Sequence, residues 1–285
     1  MKIHHLNCGT DCPVGGALFD GRSLGLTGRL VCHCLLIETP RSGLVLVDTG
    51  YGLKDVRHPH RRPNERITKA MRTMLNIRFR EEETAIRQIQ ALGLSAGDVR
   101  HIVLTHLDFD HAGGLEDFPN AVVHVMDEEF SAATGARNGF GPRNRYRPSQ
   151  FNEVAEWRRY SGQGEPWFGF ETVRDLEGLP PEILMVPLPG HSWGHAGVAI
   201  QSDAGWLLHA GDAYFYRGEM GSARRRCTPG LRMYQRMMEV DRARRLANQD
   251  LLRKLSLDRQ GAVRIFCAHD PVEFERMCKG SPRAA

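Results

Sequence analysis

Residues 101–114, HIVLTHLDFDHAGG, constrain this chain more than any other stretch. The apolar run 102–104 reads as a buried strand that stops at Thr105. His106, Asp108, Asp110 and His111 follow at once, then Gly113 and Gly114. In an extended or tightly turned loop those four side chains converge on one point beyond the strand's end. Imidazoles and carboxylates are the nitrogen and oxygen donors that zinc, iron and manganese accept. The glycines let the backbone fold back close to whatever is bound. Asp and His also cap helices and satisfy turns, so the rest of the chain decides between the two readings.

It does so by repeating the pattern. Strands are expected at 30–38 (LVCHCLLIE), 44–48 (LVLVD), 121–126, 183–186, 198–201, 206–209 and 262–268. Several run into ligand-type residues: Asp48, then His191 within PLPGHSWGH, then Asp212, then His269. Metal sites need donors that converge from several elements, and strand ends along one sheet edge supply them. Asp48 reads equally as a partner that orients a metal-bound imidazole and as an acceptor for backbone N–H groups in its own turn.

Between these strands, residues 81–92 read as a helix with an acidic first turn and the apolar face Ala85, Ile86, Ile89 and Leu92, stopped by Gly93. Residues 52–80, rich in Arg, His and Pro, read as an exposed flap in which His58 and His60 face solvent. Residues 127–181 change character towards Gly, Arg, Pro and aromatics, among them Tyr146, Phe151, Trp157 and Trp167. They read as an inserted lid or substrate-facing segment with a short helix around 151–160, or else as an appendage that its aromatics pack down. A helix, in one piece or two, is expected from Pro229 to about Leu255.

Composition sets the remaining bounds. The 285 residues suffice for one large domain, and 1–285 is read as one, with 127–181 as its insertion. No apolar stretch approaches the roughly 20 residues of a membrane span, and the N-terminus lacks the apolar core of a secretory signal, so a cytoplasmic protein is expected. Seven cysteines is an odd count, and Cys32, Cys34 and Cys267 lie in apolar runs that suit reduced core thiols. The net charge of +4 includes an arginine cluster from Arg217 to Arg245. Interrupted by Glu239 and Asp241 and lacking stacking aromatics, it reads as a solvated helix face with a basic entry loop, not a nucleic-acid surface.

The stretches VLVDTG (45–50), THLDFDHAGG (105–114), PGHSWGH (189–195), HAGDAYF (209–215) and CAHD (267–270) resemble the metallo-β-lactamase superfamily over nearly the whole length. The resemblance implies an α/β fold, an αββα sandwich of two mixed β-sheets flanked by helices, with a dinuclear metal site along one edge. It implies that one metal takes His106, Asp108 and His191, and that the other takes Asp110, His111 and His269, with Asp212 bridging both, and that His195, four residues after His191, is a structural neighbour rather than a ligand. Asp108 departs from the usual motif, which has His there. A third hard carboxylate admits iron or manganese beside zinc, which stays the first expectation. Three Asp carboxylates, one bridging hydroxide and two divalent cations sum to a formal charge of about zero, against about +1 with His at that place, so the bound water should be less acid. On this reading Asp108→His should shift preference towards zinc.

The implied chemistry is hydrolysis, with a metal-bridging hydroxide that Asp110, as ligand and proton acceptor, orients for attack. Tyr214, two residues past Asp212, is expected to donate a hydrogen bond to the substrate. This, with the aromatic insertion, looks like the acyl-homoserine lactonase branch and implies a cyclic ester as substrate. A thioester or β-lactam hydrolase is the alternative within hydrolases, and a di-iron redox protein the alternative of another class. The expected partner is a small-molecule substrate, with neither nucleic acid nor membrane, and a homodimer is left open.

Overall fold

Strand Leu30–Glu38 is buried along almost its entire length, on both faces, and the molecule is layered around it. The computed structural model describes residues 1–58, 66–136, 140–161, 164–170, 176–203, 205–258 and 262–280; His60 lies outside them. In chain order the elements begin with β1 (Lys2–Asp11), α1 (Ala17–Asp20), β2 (Leu30–Glu38), β3 (Leu44–Val47), α2 (Leu53–Arg57), α3 (Lys69–Leu75), β4 (Ile77–Arg78) and α4 (Ala85–Ala91). They continue with β5 (Val99–Val103), β6 (Val122–Met126), α5 (Asp127–Thr134), α6 (Phe140–Arg145), β7 (Glu156–Tyr160) and β8 (Ile183–Pro187). The chain closes with β9 (Ala196–Ser202), β10 (Gly205–His209), α7 (Pro229–Met238), α8 (Arg242–Asp258), β11 (Val263–Phe266) and α9 (Pro271–Gly280).

The strands make two mixed sheets, ordered β4-β1-β2-β3-β5-β6-β7 and β11-β10-β9-β8. In the first, β1, β2 and β3 pair antiparallel, whereas β3, β5, β6 and β7 run parallel. In the second, only β10 and β11 are parallel. Period-two alternation sends Leu35, Ile37, Val45, Val47 and Val103 inward, against Met185, Val198, Ile200, Leu207 and Phe266 of the facing sheet. The alternate residues Leu36, Leu46, Ile102 and Val123 face outward and are covered by Ala85 and Ile89 of α4. On the far side Leu184, Val186, Ala199 and Leu208 are covered by Leu252 and Leu255 of α8. Each Val, Leu, Ile, Met or Phe among them contributes roughly 1.5–3 kcal/mol on burial. The result is the expected αββα sandwich. Among the described residues no helix is long and apolar enough to cross a membrane, and all seven cysteines are free thiols.

Three local expectations are corrected. The helix expected at 151–160 is instead edge strand β7, which pairs in parallel with β6 from Glu156 to Tyr160. Trp157 packs there edge-on against Phe130 and Phe151, so sheet pairing and aromatic packing outweigh local propensity. The segment 52–80 is not a flap throughout, because Ile67, Met71 and Leu75 are buried beneath Tyr51 and Phe109; His58 is exposed. The helix at 81–92 is broken at Thr84 into a 3₁₀ turn, Glu81–Glu83, and α4. Of the basic cluster, Arg217, Arg225, Arg242, Arg244 and Arg245 pair with Asp270, Glu219, Glu239, Asp241 and Glu239 respectively.

Candidate metal centre

Every candidate ligand lies just past the end of a strand on one edge of the sandwich. His106, Asp108, Asp110 and His111 follow β5, His191 follows β8, Asp212 follows β10 and His269 follows β11. All seven are buried. The carboxylate of Asp212 divides them into two groups. Its Oδ2 lies 3.4 Å from His191 Nε2 and 3.7 Å from His106 Nε2. Asp108 Oδ2 completes that side, 3.1 Å from His191 Nε2 and 3.6 Å from His106 Nε2. The Oδ1 of Asp212 lies 3.0 Å from His269 Nε2 and 3.4 Å from His111 Nε2, with Asp110 Oδ2 3.7 Å from His269 Nε2.

The donor set fits divalent cations on each side. His106 Nε2, His111 Nε2 and Asp212 Oδ1 are buried without a hydrogen-bond partner, a costly state unless a cation takes up their lone pairs. The far ring nitrogens are meanwhile occupied. His111 Nδ1–H donates to Asp48 Oδ2 at 2.8 Å, His269 Nδ1–H to the Val31 carbonyl at 2.8 Å, and His106 Nδ1–H to Thr105 Oγ1 at 2.9 Å. These bonds set the tautomer that leaves each Nε2 free for metal.

Asp48 takes the first of its two expected roles, orienting an imidazole, while the backbone N–H it accepts belongs to Thr105 and not to its own turn. Oδ2 orients His111, while Oδ1 accepts the Thr105 N–H at 2.8 Å. The residue is held at φ +57°, a conformation that a non-glycine side chain adopts at some cost and that its three hydrogen bonds offset. His195 is a structural neighbour, as expected: Nδ1–H donates to the Leu188 carbonyl and Nε2 accepts the Asp212 N–H at 2.8 Å, shaping the loop that carries Asp212.

The charges are mutually stabilising. Burial opposes ionisation of Asp212, but His269, His111 and His191 outweigh it and hold the carboxyl well below the usual range. Burial likewise opposes protonation of His269, which Asp212 and Asp110 nevertheless push up to about 9. For Asp108 burial is overcome by the Arg145 guanidinium and by His106, again leaving the carboxyl well below the usual range.

Several functional neighbours have no signal in the motifs. Glu129 of α5 accepts from Leu107 N–H, Ser192 Oγ–H and Gly194 N–H, tying the β5 loop to the His191 loop. A side chain at Gly194 would meet the Glu129 backbone nitrogen at 2.1 Å, so only glycine permits that junction. Arg145 of α6 reaches Asp108 from the segment read as a lid. Cys32, read as a core thiol, lies with Asp110 and His269 in a group whose ligand atoms are within 4.8 Å of one another.

Tyr214 sits elsewhere than expected. It is fully buried, and its hydroxyl donates to the Glu273 carboxylate at 3.0 and 3.2 Å. The next residue, Phe215, is the one beside the ligands, stacked on the His269 ring at 5.1 Å and 5.8 Å from His191. Tyr234 of α7 packs edge-on against Phe215 at 5.6 Å. Burial, and then the charges of Asp110, Asp108 and Asp212, raise the Tyr234 phenol well above its ordinary range. Tyr214→Phe is accordingly expected to cost about 1–3 kcal/mol of stability, because Glu273 loses a buried donor, and to leave kcat within about threefold. Urea unfolding and turnover of the best substrate measure both. A tenfold fall in kcat at an unchanged midpoint would return this phenol to the chemistry.

The model of the family described as the metallo-beta-lactamase superfamily matches residues 27–253. A Mycobacterium tuberculosis protein named "Probable metallo-hydrolase" is 40% identical over 271 residues, which cover 95% of this chain and 81% of that protein. An N-acyl homoserine lactonase of Bacillus cereus is 26% identical over 204 residues, covering 69% of this chain and 71% of the lactonase. Among solved structures, an N-acyl homoserine lactone hydrolase with N-hexanoyl-L-homoserine at its catalytic metal centre superposes with a TM-score of 0.69 at 21% identity, over 97% of this chain and 96% of that one.

Proposed function

The chain belongs to the metallo-beta-lactamase superfamily, and from that membership we propose that this metallo-hydrolase opens a cyclic ester, with acyl-homoserine lactones as the first substrate class and zinc at both metal positions. The observation that carries the two-metal hydrolase is the division of Asp212, one oxygen facing His106, Asp108 and His191 and the other facing His111, Asp110 and His269. The lactone class is supported by the 26% identity to a named lactonase over about 70% of both chains.

When bound, a pair of divalent cations acidifies water and polarises the substrate carbonyl. The chain's own residues do the rest. Asp110 accepts the proton released by the attacking water and passes it towards the leaving alkoxide. Asp212, anchored by His195 through its backbone N–H, keeps the two sides in register. Phe215, stacked on His269, supplies an apolar wall that excludes bulk water from one side of the cluster.

The test is a panel of acyl-homoserine lactones, simple lactones, thioesters, β-lactams and phosphodiesters, assayed on protein of measured metal content. The expected result is two zinc ions per chain and a kcat/KM for lactones about a hundredfold or more above every other class, which is about 2.7 kcal/mol of transition-state preference. Faster turnover of a thioester or β-lactam would overturn the substrate class, and saturation at one metal per chain would overturn the paired centre.

A further inference from the structure

We propose that Arg145 is a positioning residue of the metal centre, one that takes up one oxygen of Asp108, presents the other to the cation, and makes the Asp108–Arg145 pair the electrical equivalent of a neutral imidazole at position 108. The geometry is asymmetric. Arg145 Nε lies 3.5 Å from Asp108 Oδ1, while Asp108 Oδ2 points the opposite way, 3.1 Å from His191 Nε2 and 3.6 Å from His106 Nε2. Among the described residues the guanidinium makes its ion pair with Asp108 alone. Its remaining nitrogens donate to two backbone carbonyls, Nη1 to His191 at 2.9 Å and Nη2 to Met238. Glu129, the next carboxylate in reach of its field, is already committed to Leu107 N–H, Ser192 Oγ–H and Gly194 N–H.

Arg145 is wholly buried, as is Asp108. A guanidinium stays charged at any working pH, and a buried charge persists only where an opposite charge answers it. The segment 127–181 therefore brings to the centre the cation that its extra carboxylate demands. An isolated bridge between Asp108 and Tyr146 holds the two stretches in register next to this pair. Counting Arg145 adds one positive charge to the sum of about zero and returns it to about +1, the value that a histidine at 108 would give alone. The expectation for Asp108→His changes with it. Made alone, that exchange leaves Arg145 buried beside two cations without its counter-charge, so it should weaken metal binding rather than favour zinc.

This inference rests on the metal-centre reading, and the wild-type titration tests that reading separately: a wild-type protein that binds no zinc defeats both. Zinc affinity, by competition with a chromophoric chelator, and the melting midpoint of the metal-free protein are measured for wild type, Arg145→Met, Asp108→His and the double variant. Asp108→His alone should lose tenfold or more in zinc affinity, and adding Arg145→Met should restore at least tenfold of it. In metal-free protein Arg145→Met should lower the midpoint when Asp108 is present and raise it in the Asp108→His background. A merely structural arginine, holding the His191 and Met238 carbonyls, would destabilise both backgrounds alike, and that outcome overturns the proposal. So does a singly exchanged Asp108→His that binds zinc as tightly as wild type. Should Arg145→Met fail to fold, Asp108→His combined with Arg145→Lys keeps the charge and must bind as weakly as Asp108→His alone; recovery of affinity in that variant would equally overturn the proposal.

Discussion

Asp212→Ala should reduce the metal content from two ions to at most one per chain and lower kcat/KM for the best lactone by about a thousandfold or more, roughly 4 kcal/mol of transition-state stabilisation. Asp212 is the ligand-type residue whose two oxygens both face imidazoles, His106 and His191 on one side, His111 and His269 on the other. In the proposed paired centre its removal would take a ligand from both positions, and it leaves four buried imidazoles with less negative charge among them. The loop itself should survive, because its shape is set by the backbone: Gly211 adopts φ +53° and the Asp212 N–H donates to His195. Elemental analysis after saturation with zinc, together with steady-state kinetics, gives the answer. Two tightly held ions and near-normal turnover in this variant would mean that Asp212 does not bridge.

The second large effect is on stability against pH. Glu273 is buried on α9, where it accepts from the Tyr214 hydroxyl and from the Cys267 N–H at 2.9 Å. Burial, reinforced by the neighbouring charge of Asp270, pushes its carboxyl up to about 8 from an ordinary 4.5. Between those values the folded chain retains a proton that the unfolded chain has released, so stability declines as pH rises. The contribution is fully present below about 4.5 and is lost as pH rises through about 8. Its size is on the order of 5 kcal/mol at 1.36 kcal/mol per unit. Glu273→Gln reproduces the neutral acid, with an amide oxygen for Cys267 N–H and an amide donor towards Tyr214, and it does not titrate. Urea midpoints taken from pH 5 to pH 9 should fall for the wild-type protein and stay nearly level for Glu273→Gln. Parallel curves for the two proteins would show that Glu273 is ionised throughout.

Much of this protein is determined by local chemistry along the chain. A run such as LVCHCLLIE can only be buried on both faces, and β2 is. The motif after β5 and the histidines and aspartates that follow β8, β10 and β11 declare themselves, because each strand must end where its apolar pattern ends and the next polar residue projects from the edge. Those seven residues come together as the sequence leads one to expect. What local pattern does not carry is the direction of a side chain in an irregular turn, or the arrival of a partner from a distant segment. Past β10 the period-two rule lapses at Gly211, so whether Tyr214 or Phe215 faces the metals depends on the turn's own torsions and on Glu273 waiting in α9 to receive the phenol. Glu156–Tyr160 becomes a strand because β6 offers it an open edge, not because EWRRY demands one. Arg145 is one arginine among several in a polar stretch, and only the fold brings it to Asp108. Propensity and hydrophobic period act over a few residues, whereas a buried charge finds its counter-charge through packing across the whole molecule, and that pairing belongs to the tertiary structure.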